Sequence, residues 1–235
     1  MDLVPRETLE DLAAASRILV DQGVLDAAGH VSMRHPGAAE RFLMSRSLAP
    51  ALVTADDIME LALDGESRDP RGRTPFLERF LHGEIYRARP DVMAVAHGHS
   101  TSVIPFSLVD TPMVATYHNA AFLAAGVPVF DIRDAFGSTD IVISSRQRGA
   151  ALAAALGDKA VVLLRAHGVA IVGPSLQAAV FRAVFTEVSA RVQLQAAALG
   201  GPLAALDAEE GRQADAINLA TLGRSWELWK RRVMP

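Results

Sequence analysis

The chain contains no cysteine in its 235 residues. That excludes disulfides, zinc–thiolate sites and a thiol nucleophile, and it permits a reducing compartment. Long hydrophobic runs are missing too: no apolar stretch reaches the roughly 20 residues of a membrane-spanning helix without interruption by charge, Gly or Pro. Nor is there an excess of basic charge. The net charge is −4, with acids and bases mixed along the chain, which argues against a nucleic-acid or anionic-membrane surface. The N-terminus, Met1 to Glu7, is acidic and amphipathic, without the basic-then-apolar order of a signal peptide; the expected location is cytoplasmic. With no internal repeat and no dividing linker, a chain half of whose residues are apolar reads as one domain over 1–235 with a substantial core.

Apolar periodicity supplies the elements. Thr8 to Gln22 has helical spacing after Pro5 and before Gly23. Gly29–Arg34 and Arg41–Ser45 read as strands, as does Ile58–Leu63 with its closing Asp64-Gly65. Phe76–Arg87 is a second amphipathic helix, opened by Thr74-Pro75 and stopped by Arg89-Pro90. A strand near Val127–Phe130, a helix over Ser145–Leu156, a strand from Ala160 to Ala166 and a long alanine-rich helix from Ser175 to Leu199 follow. Many of the links look like hairpins, so the expected fold class is α/β: a three-layer α/β/α arrangement with a mixed, mainly antiparallel central sheet. From about 204 to Pro235 the chain is polar and charged. Its Trp226 and Trp229 require an apolar surface, expected on a neighbouring subunit, where Arg224, Arg231 and Arg232 would approach that subunit's site.

Two apolar runs end in histidine. Val92-Met93-Ala94-Val95-Ala96 runs into His97-Gly98-His99, and Ala160–Ala166 into His167-Gly168. Residues i and i+2 at a strand end point to one face, so His97 and His99 with a third imidazole from a neighbouring strand end make three nitrogen donors. Such a site leaves coordination positions open to substrate, as in a catalytic metal centre. The other reading of each histidine is a core residue with a satisfied hydrogen bond.

In order and spacing these residues resemble the class II aldolase/adducin family, from about Leu9 to Ala190. The resemblance rests on Gly29-His30-Val31-Ser32, on Ile58 to Gly65, on Glu78 followed by His82 and Ile85 to Val92, on His97-Gly98-His99-Ser100, and on Ala166-His167-Gly168. It implies that His97, His99 and His167 are ligands of a divalent zinc, manganese, cobalt or magnesium ion, and that Glu78 is the acid/base residue beside it. It implies also a four-fold tetramer with active sites at subunit boundaries.

The departures bear on substrate. Where sugar-phosphate aldolases of the family carry hydroxyls and amides for phosphate, this chain has His30, Ser45-Arg46-Ser47-Leu48 and Phe76-Leu77. Two apolar side chains cannot hydrogen-bond a phosphate. An arginine fork at Arg46 between Ser45 and Ser47, with His30 and Phe76, suits a flat ring bearing carboxylate. The run Met44 to Pro50 resembles the branch that decarboxylates ring compounds with a hydroxyl beside a carboxylate, such as 3,4-dihydroxyphthalate or a hydroxymethylpyridine dicarboxylate. The expected activity is therefore a metal-dependent decarboxylation of an ortho-hydroxy aromatic or pyridine carboxylate. Glu78, with a carboxyl raised by its apolar neighbours, or His118 in the loop-like Tyr117-His118-Asn119, would move the proton. The alternatives are an aldolase for an unphosphorylated hydroxy or oxo acid, and an adducin-like scaffold without chemistry.

Overall fold

Pro5 opens the first helix, α1 (Arg6–Asp21), where its missing N–H has no partner to lose, and Gly23 ends it with a φ of +72°. A computed structural model of the chain describes residues 4–67 and 71–234. Residues 1–3, part of the N-terminal reading above, lie outside them, as does Pro235.

Beyond α1 the described residues build one seven-stranded sheet. Its strands in chain order are β1 (His30–Arg34), β2 (Arg41–Ser45), β3 (Ile58–Ala62), β4 (Ala94–Gly98), β5 (Val129–Phe130), β6 (Val161–Leu164) and β7 (Gly168–Gly173). The order across the sheet is β3-β2-β1-β4-β7-β6-β5. Every pairing is antiparallel except the parallel β5–β6 pair at the edge. The mixed, mainly antiparallel sheet is the one expected.

Side chains alternate across each strand, and two cores result. On one face Val31, Leu43, Ala94, Ala96, Val169 and Ile171 pack against α1 and the long helix α5 (Leu176–Ala198). On the other, Phe42, Met44, Val95, Val162, Ala170 and Val172 pack against α2 (Arg79–Ala88) and α4 (Arg146–Leu156). Ser145 and Ser175 cap α4 and α5 through their side chains, which satisfies donors that the helices leave open. A single helical turn, α3 (Arg133–Phe136), links β5 to the α4 side.

Two elements differ from expectation. The apolar residues after His167 form β7, the hairpin partner of β6 and the central neighbour of β4. The polar tail folds as α6 (Ala208–Ala220) and α7 (Leu222–Val233). Asp207 caps α6 in a reciprocal arrangement with Glu210. On α7, Trp226 and Trp229 are buried within this chain's own core beside α1 and α5, with the Trp229 ring 6.2 Å from Phe185. Lys230 also reaches Asp11 at 2.6 Å and Arg232 reaches Asp21 at 3.3 Å. The expected apolar surface on a neighbour is thus supplied in cis, because α7 turns both indoles inward beside α1 and α5 while Lys230 and Arg232 pair with acids of α1.

Replacing Trp229 by Ala is expected to lower the unfolding free energy by about 3–5 kcal/mol, as for other buried aromatics. Leu228→Ala, at a side chain 59% exposed, should stay within about 0.5 kcal/mol. Equal effects in denaturant titrations would contradict the packing of α7 described here.

Candidate metal centre and adjoining cavity

The alternation of β4 puts His97 on the same face as Val95, under α2, and carries His99 to the same side just past the strand end. Glu78 is the residue immediately before α2. His167 sits in the turn between β6 and β7. That turn is held by Ala166, a non-glycine residue at φ +56°, whose amide donates to Ser107 Oγ at 3.1 Å. At Gly168 a Cβ would collide with the Gly98 carbonyl, so only glycine there lets the turn approach the histidine-bearing end of β4 so closely.

These four side chains converge: one ligand atom from each of Glu78, His97, His99 and His167 lies within 4.8 Å of the others. Glu78 Oε2 is 3.3 Å from His97 Nε2 and 3.6 Å from His167 Nε2. Its Oε1 accepts the Ile143 amide at 2.9 Å. The three histidines and the glutamate that the sequence singled out are therefore together in one place.

Whether the cluster fits a cation follows from its protons. His97 Nδ1 lies 3.1 Å from the Val169 carbonyl. A carbonyl only accepts, so this nitrogen carries the proton and Nε2 is bare. That bare nitrogen is buried without a hydrogen-bond partner and faces a carboxylate oxygen. Two acceptors so placed repel unless a positive charge lies between them, and burial holds His97 below the ordinary range of imidazole, against a proton. His99 Nδ1 donates to the Asp26 carboxylate at 3.1 and 3.2 Å, leaving its Nε2 free. Burial opposes ionisation of Asp26, but the Ala28 amide, the His99 ring and the Gly29 amide outweigh it and lower its pKa. Imidazoles oriented by a carbonyl and a carboxylate behind them are the usual support of metal-binding histidines. The donor set fits a divalent ion, and three nitrogens with one carboxylate accept most first-row divalent metals.

Glu78 departs from expectation in its proton affinity. Burial pushes its carboxyl up, but positive charge on the side of the His167 and His97 rings outweighs that and holds it well below the usual carboxylate range; with His97 Nε2 bare, a cation between these atoms is the charge that would do so. It is a carboxylate at neutral pH, and the apolar neighbours expected to raise it do not prevail: Leu77 is 59% exposed.

Beside the cluster opens a cavity of about 420 Å³ lined by Ala27, Ala28, His30, Ser47, Leu48, Ala49, Phe76, Leu77, Glu78, His99 and Val142, a volume suited to a small molecule. Of the expected substrate contacts, His30, Ser47 and Phe76 are in its wall, the His30 and Phe76 rings 4.6 Å apart. Ser45 is buried at the end of β2 and is not in the wall. Arg46 is turned away: its Nε donates to Asp57 at 2.7 Å, and its backbone bridges to Pro75. Its fork therefore does not line the cavity, because the β2–β3 edge supplies a carboxylate of its own. His118 is also outside, exposed at the start of the short helical segment His118–Ala125, its ring 3.4 Å from Asn119 and its carbonyl held by Asn218 of α6. Asp26, Ile143 and the wall residues Leu48 and Val142 are contributions that single-residue inspection did not reveal. A second cavity of about 400 Å³ beside α6 has no such donor cluster among the described residues. There Arg182 pairs with Asp215 and Arg89 with Asp91.

A histidine and carboxylate cluster at the open end of the central strands, next to a partly apolar cavity, puts a donor set for a cation within reach of a small molecule. Residues 10–194 match the Class II Aldolase and Adducin N-terminal domain, and the chain belongs to that family. It is 32% identical to "Decarboxylase tropJ" of Talaromyces stipitatus, an alignment covering 99% of this chain and 96% of that protein. To the 3,4-dihydroxyphthalate decarboxylase of Arthrobacter keyseri it is also 32% identical, over 92% of this chain and 88% of the relative. Among solved structures, an aldolase II superfamily protein from Pseudomonas syringae superposes with a TM-score of 0.80 at 26% identity, covering 99% of this chain and 94% of that one. The relatives include decarboxylases and an L-fuculose phosphate aldolase of Escherichia coli, and the chain is an enzyme of the decarboxylase and aldolase type. Among the described residues no helix is long and apolar enough to cross a membrane.

The orientation of His99 by Asp26 has a measurable consequence. Asp26→Asn is expected to weaken zinc binding by about 10- to 100-fold, the usual effect of removing a carboxylate behind a ligating histidine. Competition against a chelator of known affinity measures it, and an unchanged affinity would contradict the assignment of His99 as a donor.

Proposed function

We propose that the chain is a divalent-metal-dependent decarboxylase of a hydroxyaromatic carboxylate, a ring with a hydroxyl beside the departing carboxylate. The observation that carries this reading is the cavity wall. Phe76 and Leu77 occupy positions where sugar-phosphate aldolases of the family carry hydroxyls, and with Leu48 and Val142 they line a space of small-molecule size beside the cluster of Glu78, His97, His99 and His167. The name of the Arthrobacter keyseri relative, a 3,4-dihydroxyphthalate decarboxylase, supports the same substrate class, and the name of the Talaromyces stipitatus relative supports decarboxylation.

In this reading His97, His99 and His167 hold the ion, whose chemistry is to stabilise negative charge on the ring oxygen. Glu78, ionised at neutral pH, first acts as base and takes the proton of the ring hydroxyl. It then returns that proton to the ring carbon bearing the carboxylate, which leaves a ketone next to that carbon. The carbon–carboxylate bond breaks, carbon dioxide departs, and the electron pair moves through the ring to the same oxygen. Solvent restores the hydroxyl proton. Phe76 and the aliphatic wall hold the ring flat and exclude water from Glu78. The enzyme would act as a homo-oligomer, a tetramer by family likeness, in aromatic compound degradation in the cytoplasm.

Retro-aldol cleavage of an unphosphorylated hydroxy acid also leaves an electron pair for an oxygen beside the cluster, so the products decide between the two reactions. Zinc- or manganese-loaded protein given 3,4-dihydroxyphthalate and related ortho-hydroxy dicarboxylates is expected to release carbon dioxide. Release should stop on chelation and in His97→Ala, and kcat should fall about 10²- to 10⁴-fold in Glu78→Gln. Aldehyde formation from oxo-acid aldols with no carbon dioxide from any ring compound would overturn the proposal.

A further inference from the structure

Behind the cavity wall a chain of four polar side chains runs from His30 into the core between β1 and α2. His30 Nδ1 is 2.8 Å from His82 Nε2, His82 Nδ1 is 2.7 Å from Ser32 Oγ, and Ser32 Oγ is 2.7 Å from Tyr86 Oη. All four residues are buried. His30 and Ser32 share one face of β1, while His82 and Tyr86 are one helical turn apart on α2, so the two elements interleave their donors.

The direction of every proton in this chain follows from its inner end. Among the described residues Tyr86 Oη hydrogen-bonds one side chain, Ser32, and the backbone group acting on the phenol, the Val95 amide, is itself a donor. Burial keeps the phenol protonated, and a buried hydroxyl proton without an acceptor is costly. Tyr86 therefore donates to Ser32. Ser32, with one proton of its own, donates to His82 Nδ1. Burial pushes the His82 imidazole down to about 3, so it is neutral and its single proton sits on Nε2, from which it donates to His30 Nδ1. A neutral His30 accepting at Nδ1 must carry its proton on Nε2. That nitrogen has no protein partner among the described residues, and His30 is in the cavity wall.

We propose that Tyr86, Ser32 and His82 are positioning residues that fix His30 as its Nε2–H tautomer, making it a preset hydrogen-bond donor to an anionic oxygen of the cavity's substrate. The proposal rests on the cavity being the substrate site and not on which lyase reaction occurs there. A preset donor aimed at developing or resident negative charge needs no reorganisation when the substrate arrives. It also discriminates: an oxyanion or carboxylate satisfies Nε2–H, whereas an apolar ring edge at that point leaves a buried donor unpaired.

Two measurements test it. Neutron diffraction from crystals of the zinc-loaded enzyme needs no substrate, and deuterium is expected on Nε2 of both His30 and His82 with none on either Nδ1. Deuterium on His30 Nδ1 would overturn the proposal, whatever the reaction turns out to be. The second is a kinetic cycle with 3,4-dihydroxyphthalate. Gln at position 30 carries an N–H donor near the place of Nε2 but has no tautomer to set. Ser32→Ala is expected to lower kcat/KM about 10-fold in the native background, and less than twofold in His30→Gln. An equal loss in both backgrounds would assign Ser32 a merely structural part and overturn the relay.

Discussion

The antiparallel register of β1, β4 and β7 is the constraint on which the rest depends. His30 pairs with His97, and His97 with Ala170, at the centre of the sheet. A slip of one residue in any of these pairings would move every side chain of that strand to the opposite face. His97 would then enter the apolar core shared with α1 and α5, and His30 would leave α2. The register is secured by alternation itself: Val31, Ala94, Ala96, Val169 and Ile171 can be buried on the α5 face only if the histidines lie on the other. Core burial and site assembly are one choice made by the same residues.

From that register the site acquires two halves with different electrostatic character. Toward the strand ends are bare imidazole nitrogens and an ionised Glu78, donors without their own counter-charge, poised for a divalent cation. Toward the sheet interior is a file of neutral groups, His30, His82, Ser32 and Tyr86, each satisfied by the next. Burial opposes charge in both. It keeps the interior imidazole of His82 uncharged, while at Glu78 it is outweighed by positive charge at the cluster. The cavity meets both, with Phe76 between them against the His30 ring.

Much of this was legible in the sequence, for physical reasons. A period of two in Val95, His97 and His99 placed two donors on one face, whereas Glu78, read inside a helix Phe76–Arg87 that starts at Arg79, was singled out by family resemblance alone. The class of fold followed from short strands joined by hairpin-like links. What was not legible depends on contacts distant in sequence. The run after His167 became a strand through a turn whose left-handed residue is Ala166, where no glycine marks it. Trp226 and Trp229 looked stranded on a polar tail until α7 folded back onto Phe185 and α1. Arg46 looked free to bind a carboxylate, but Asp57 stands beside it across the β2–β3 edge. The relay behind His30 left only a faint trace, the four-residue spacing of His82 and Tyr86.

The central claim is that this register gathers His97, His99, His167 and Glu78 into a site for one divalent cation. Anomalous diffraction at the zinc absorption edge from crystals grown with one equivalent of zinc tests it most directly. The account predicts a single strong peak per chain, within bonding distance of Nε2 of His97 and His99 and of a His167 ring nitrogen. A peak elsewhere, or none at these nitrogens, would contradict it.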